Sequence, residues 1–205
     1  MTRLGFYLAR TLRREAPLAA LSMDEMALLD RAAGKRVALV GNARSLADRD
    51  EGAAIDAADL VIRINRAPMP APVSHGSRTD WLALATSLPP AELARIDPHL
   101  VLWMSPKRKR LPWSVARRAG RFYLHPLPRI VALTDRLGAP PTTGLMMIDL
   151  LMGSDLSRLA LHGFDFFASL SLSGRRRADQ VPHDFTAERR FVEDLAARDG
   201  RLALR

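Results

Sequence analysis

The stretch that most constrains the fold is Arg36–Pro68, RVALVGNARSLADRDEGAAIDAADLVIRINRAP. An apolar run, Val37-Ala38-Leu39-Val40, turns at Gly41-Asn42, and a connection that reads as helical follows. A second apolar run, Leu60-Val61-Ile62, ends in Arg63-Ile64-Asn65-Arg66. Short β-branched runs on either side of a helix read as a βαβ unit with both strands buried in a parallel sheet. Ligands of such sheets collect beyond the carboxyl ends of the strands. Asn42 and Asn65 fall just past two of those ends, so two amides are expected to face one crevice suited to a nucleotide or sugar.

The same alternation continues. Strands are expected at Trp81–Leu84, His99–Ser105, Phe122–Leu127, Leu159–Phe164 and Arg201–Leu204, with helices at residues 89–97, around 114–119, and at 129–137, 145–152 and 183–198. Strands alternating with helices imply a doubly wound, mostly parallel α/β sheet. A loop is expected over residues 67–78 and a polar, arginine-rich one over 168–182. Residues 1–31 read as a helical appendage and residues 32–205 as one domain. In the appendage Leu4, Tyr7, Leu8 and Leu12 share a face among Arg3, Arg10, Arg13 and Arg14. Such a basic amphipathic helix can lie on anionic lipid or pack on the domain or a partner subunit.

The 205 residues carry a formal net charge of +9 and 48% hydrophobic residues, so disorder is not the default reading. A basic balance favours phosphorylated substrates, anionic membrane or nucleic acid. It can also reflect nothing more than a GC-rich genome. The clusters at Lys107–Arg110 and Arg175–Arg177 lack the interleaved aromatics of a nucleic-acid groove, so no nucleic acid is expected. There is no cysteine, hence no disulfide and no thiolate metal site. No apolar run reaches the ~18 residues of a membrane span, and no signal-peptide core is visible. The expectation is a cytoplasmic protein, with peripheral contact to the inner membrane left open.

Three places can carry chemistry. Gly41-Asn42 opens G-N-A-R-S-L, which has neither the further glycines of a dinucleotide fingerprint nor a P-loop lysine. A turn with one amide and backbone N–H groups remains, suited to ribose hydroxyls or a single phosphate, and Asn42 is equally readable as a turn residue. Pro140-Pro141-Thr142-Thr143-Gly144 precedes an apolar helix. Thr142 or Thr143 can cap it, and the free N–H groups can take an anion or a polar edge, or the segment is an ordinary helix start. His183-Asp184-Phe185-Thr186-Ala187-Glu188 places an imidazole, a group that titrates near ~6.5, at the start of the last helix. It reads as a general base or as a simple N-terminal polar residue, with Glu188 supporting local structure. Asp48-Arg49-Asp50 spells the D-x-D of metal-dependent glycosyltransferases but lies away from a strand end and reads as solvated surface.

Together and in this order, the three segments resemble the sialyltransferases, glycosyltransferase family 29. VALVGNARSL…IDAADLVIRINRAP is similar to the family's large sialylmotif, PPTTGLMMIDLLMGSDLSRLALHGFDFF to its small one and HDFTAE to its very small one. The resemblance implies a GT-A-like variant of the nucleotide-binding fold and a CMP-activated acidic sugar as donor, sialic acid or a Kdo-like ketose. It implies a glycan or glycolipid acceptor and no cofactor or metal. It assigns Asn42 and Asn65 to the CMP ribose and phosphate, with Gly41 and Arg63 in support. Thr142, Thr143 and Gly144 would take the cytidine end with Gly163 nearby, and His183 would be the general base of an inverting displacement. Secretory members join the large and small motifs by a disulfide, so a cysteine-free chain would be a bacterial-type version. The family's third motif should fall in ASLSLSGRRRADQV, which has neither histidine nor tyrosine. There a serine or arginine takes over the phosphate contact, or catalysis is weakened. The alternative is a non-catalytic nucleotide- or glycan-binding module on the same fold.

Overall fold

Continuous burial along the apolar runs, covered on both faces, is what assembles the sheet. The computed structural model describes residues 1–166 and 182–205. Among them seven strands pair in one sheet: β1 (Arg36–Val40), β2 (Leu60–Ile64), β3 (Trp81–Leu84), β4 (Leu100–Trp103), β5 (Phe122–Leu124), β6 (Arg158–His162) and β7 (Leu202–Leu204). All pairs are parallel, in the order β5-β4-β3-β2-β1-β6-β7. Alternate side chains enter opposite cores, because successive residues of a strand point to opposite faces. Val37, Leu39, Leu60 and Ile62 join the helix Thr143–Met152 on one face. Ala38, Val40 and Val61 pack with Leu46 and Ile55 on the other, where Leu82, Val101 and Trp103 form a neighbouring cluster. Helices therefore cover both faces, and the doubly wound parallel sheet expected from the sequence is what forms.

The chain walks outward from β1 to β5 and then returns to lay β6 on the other side of β1. That reversal opens a crevice beyond the carboxyl ends of β1 and β6. The register fixes its floor. Val40 pairs with Arg63 on one side and with His162 on the other, so Gly41, Ile64 and Gly163 stand at one level, with Gly41 and Gly163 just past their strands.

Several elements are shorter than the sequence suggests. The first crossover is a 3-10 turn, Arg44–Asp48, and a five-residue helix, Gly52–Asp56. A short helix, Pro72–His75, interrupts the expected loop at 67–78. The last helix starts at Phe185. Asp48, Arg49 and Asp50 are exposed at the end of the 3-10 turn. Apart from Pro182, the loop read at 168–182, with Arg175–Arg177, lies outside the described residues.

The first thirty residues form helices Arg3–Thr11, Glu15–Ala19 and Glu25–Asp30. Phe6 and Leu18 are fully buried against the cluster around Trp103. Arg108, a member of the basic cluster, is itself buried and ties this segment to the sheet. Its guanidinium reaches Glu15 at 2.6 Å and donates to the carbonyls of Ser105 and His125.

Candidate active site

Two close approaches shape the crevice. A Cβ on Gly41 would stand 2.3 Å from the carbonyl oxygen of Gly163, so only glycine lets β1 leave the sheet beside β6. The Gly41 N–H donates to His162 O at 2.7 Å and seals that corner. A Cβ on Gly144 would stand 2.6 Å from Cε1 of Phe164, which packs the helix start against the residue after Gly163.

These turns bring Gly41, Asn42, Asn65, Thr142, Thr143, Gly144, Gly163, His183 and Glu188 to the wall of one cavity of about 260 Å³. Ala85, Phe164, Phe166 and Phe185, which the sequence reading did not assign, line it too. Arg63 does not. Alternation along β2 puts it on the face of Val61, opposite Ile64. There it is buried and donates to Arg78 O (2.8 Å), Thr79 Oγ1 (3.1 Å) and His75 O (2.6 Å). Burial pulls its guanidinium down to about 10, with Asp56 opposing the shift.

Each amide is held by backbone. Asn42 Nδ2 donates to Ile64 O at 3.3 Å, linking the ends of β1 and β2. Asn65 has left-handed geometry, φ 52°, which asparagine tolerates better than most residues. Its Oδ1 accepts from Ala85 N–H at 3.0 Å. That bond commits the acceptor and orients the Nδ2 protons as the groups available to a ligand oxygen.

The helix start is built for donation. Thr142 is the N-cap, and its Oγ1 accepts from Leu145 N–H at 3.2 Å. The helical ladder begins with Met146 N–H to Thr142 O, so the N–H groups of Thr143 and Gly144 precede it. Glu188 anchors this corner from a segment 46 residues away. It is 3% exposed and accepts from Thr142 N–H at 2.6 Å and from Thr142 Oγ1 at 2.7 Å. Burial pushes its carboxyl up to about 7, against the lowering effect of the two Thr142 bonds.

His183 stands just outside the last helix, whose N-cap is Asp184, accepting from Ala187 N–H at 2.9 Å. Its Nδ1 lies 2.8 Å from Pro140 O. A carbonyl can only accept, so Nδ1 carries the proton and Nε2 of the neutral ring is the basic nitrogen. The arrangement offers a base of fixed tautomer, an amide donor and the N–H groups of a helix start in one cavity.

A family model described as glycosyltransferase family 29 (sialyltransferase) matches residues 8–106, which include Gly41, Asn42 and Asn65. No curated protein matches the chain. Among solved structures, a mammalian sialyltransferase in complex with Gal-beta-1-3GalNAc-ortho-nitrophenol aligns with a TM-score of 0.66 at 18% identity, over 98% of this chain and 84% of that one. The sialyltransferase CstII from Campylobacter jejuni, in complex with the substrate analogue cytidine-5'-monophosphate, gives 0.57 at 15% identity, over 84% of this chain and 80% of that one. The sialyltransferase CST-II in complex with a trisaccharide acceptor and CMP gives 0.53 at 14%, over 83% and 80%. These likenesses carry the fold, and the family model matches just under half of the chain, the part that holds β1 to β4 and the turns after β1 and β2.

Proposed function

We propose that the protein transfers an acidic sugar, sialic acid or a Kdo-like ketose, from a CMP-activated donor to a hydroxyl of a glycan or glycolipid. The observation that carries this reading is the convergence on one cavity of Asn42, Asn65, the Thr142–Gly144 helix start and His183. In it the Nδ1–H of His183 is spent on Pro140 O. Nε2 takes the proton of the acceptor hydroxyl as its oxygen attacks the anomeric carbon. The bond from that carbon to the phosphate oxygen breaks, CMP leaves and the configuration inverts.

A positioned histidine base contributes about 10²–10⁴-fold. The negative charge on the departing phosphate is met by the Asn65 Nδ2 donors and by the N–H groups and positive dipole end of the Thr143–Met152 helix. Asn42 holds the ribose side and Gly144 lets the cytidine approach, with Glu188 fixing Thr142 in place. This route uses no metal. CMP and trisaccharide acceptor bound to a protein of the same fold support a two-substrate cleft here.

The test is donor consumption followed by mass spectrometry with CMP-Neu5Ac and CMP-Kdo, with and without EDTA. The wild type is expected to consume one of them at a rate EDTA leaves unchanged. His183→Ala is expected to bind CMP normally and to lose about 10²–10⁴-fold in turnover. Equal turnover by both proteins would overturn the role of His183. CMP binding without turnover by either would make the protein a nucleotide-binding module.

A further inference from the structure

We propose that the outward face of the Arg3–Thr11 helix, together with the basic turn at Lys107–Arg110, docks on an anionic lipid bilayer. Of eight exposed large hydrophobic residues among those described, four lie in the first twelve positions: Met1 at 49%, Leu4 at 71%, Leu8 at 53% and Leu12 at 59%. The other four are scattered along the chain, which is ordinary for a protein surface. At 100° per residue, Leu4, Leu8 and Leu12 form one stripe opposite Phe6 and Ala9. Phe6 and Ala9 are buried in the domain, so the helix is fastened by one face and presents the stripe on the other.

The charge around the stripe selects the occupant. The first fourteen residues hold four arginines and no carboxylate. Arg10 Nη1 donates to Leu111 O, which binds the helix to the turn containing Lys107, Lys109 and Arg110. These three are exposed and, with Arg13, line a second cavity of about 420 Å³. The carboxylate in that cavity, Glu15, is already paired with Arg108 at 2.6 Å. Arg10 stacks on Phe6 and Tyr7 on the inner side of the helix, while the leucine stripe ends at Arg13 and Arg14, with Arg13 beside the basic turn. An exposed leucine stripe continued by guanidinium and ammonium groups matches acyl chains below a layer of phosphates. It does not match a second copy of itself, because both surfaces would carry the same charge. No described helix is long and apolar enough to cross a membrane, so the contact is peripheral. Lys107 follows the carboxyl end of β4, the edge of the sheet on which the first cavity opens. Docking therefore brings that cavity near the lipid headgroups, a consequence that, unlike the docking itself, rests on the proposed function.

The experiment is flotation of the full chain with phosphatidylcholine vesicles and with vesicles partly substituted by phosphatidylglycerol, at low and high salt. The protein is expected to float with the anionic vesicles only and to be released by salt. Substituting Leu4, Leu8 and Leu12 by Ser should lower partitioning by more than about a hundredfold, since each inserted leucine is worth a factor of ten or more. Lys107→Glu, Lys109→Glu and Arg110→Glu together should lower it at least as far, at roughly fivefold per basic residue removed. The charge variant changes only exposed side chains, so it reports even if the leucine variant folds poorly. No flotation with anionic vesicles, or flotation that neither variant changes, would overturn the proposal. A lipid-independent dimer abolished by the leucine substitutions would also overturn it, assigning the stripe to a second copy.

Discussion

Glu188→Gln isolates one carboxyl whose environment sets a measurable pH dependence. In the folded protein burial raises the Glu188 pKa from 4.5 to about 7. At about 1.4 kcal/mol per pH unit, that gap corresponds to roughly 3 kcal/mol between the protonated and ionised limits. Because the folded value lies above the unfolded one, the stabilisation is complete below about pH 4.5 and is lost as pH rises through about 7. Glutamine can keep the local bonds: its Oε1 accepts from Thr142 N–H, and its Nε2 donates to Thr142 Oγ1. It cannot ionise, so the variant lacks this contribution to the pH dependence while all other titrating groups are unchanged. Urea unfolding of both proteins between pH 4.5 and 8.5 should therefore show the stability difference moving in favour of Glu188→Gln by roughly 3 kcal/mol as pH rises. In thermal scans this is about 6–12 °C for a domain of this size. A difference that stays flat over the range, or moves the other way, would refute the reading of Glu188 as a buried carboxyl that ionises at a cost.

Further predictions follow from the same geometry. An anionic ligand beside Glu188 raises its pKa further, so CMP binding near pH 7–8 should take up a fraction of a proton, read by calorimetry in two buffers of different ionisation enthalpy. Asn65→Asp keeps an acceptor for Ala85 N–H and should change stability by less than about 1 kcal/mol. It removes the Nδ2 donors and sets a carboxylate toward the phosphate, so CMP affinity should fall at least about tenfold, or ~1.4 kcal/mol. Gly144→Ala drives a Cβ to 2.6 Å from Phe164 Cε1. It should cost about 1–3 kcal/mol in denaturant unfolding and weaken CMP in titration calorimetry. Arg63→Met leaves the carbonyls of His75 and Arg78 without their donor and should cost about 2–6 kcal/mol, while the folded protein still binds CMP with unchanged affinity.

The parts of the fold that are legible in the sequence are those set by local patterns. Val37–Val40 and Leu60–Ile62 are apolar because both faces of their strands are covered, and the turn at Gly41-Asn42 is marked by its residues. The approximate position of the cavity follows, since a parallel sheet binds beyond its carboxyl ends. What the sequence hides depends on contacts between distant segments. Glu188 lies five residues after His183 and reads as local support, yet its partner is Thr142. His183 reads as the first residue of a helix. Asp184 takes the capping role instead, and that frees His183 to meet Pro140 O. The resemblance sets Arg63 in support of the site, but strand alternation turns it to the face opposite Ile64. Leu4, Leu8 and Leu12 form a visible stripe. That Phe6 rather than this stripe would meet the domain depends on the shape of the cluster around Trp103, which no local pattern records.

The cavity is also where the fold surrenders stability. Asn65 and Phe166 line it in left-handed backbone geometry, φ 52° and 51°. For a bulky aromatic such a conformation costs on the order of 1–3 kcal/mol. Glu188 adds roughly 3 kcal/mol whenever it is ionised. Each cost has a use in the proposed reaction: the turn at Asn65 aims an amide donor, and Phe166 lines the cavity that would shield the donor sugar from water. Glu188 fixes the cap that leaves Thr143 and Gly144 N–H groups open. The helices and strands behind them, with Leu39, Ile62, Met147 and Ile148 buried at 0% exposure, supply the burial that offsets these costs. A rigid apolar sheet and a strained polar rim are thus two halves of one arrangement. The first holds the second in a conformation it would not adopt alone, so the groups that the proposed reaction uses on the donor are in place before any ligand arrives.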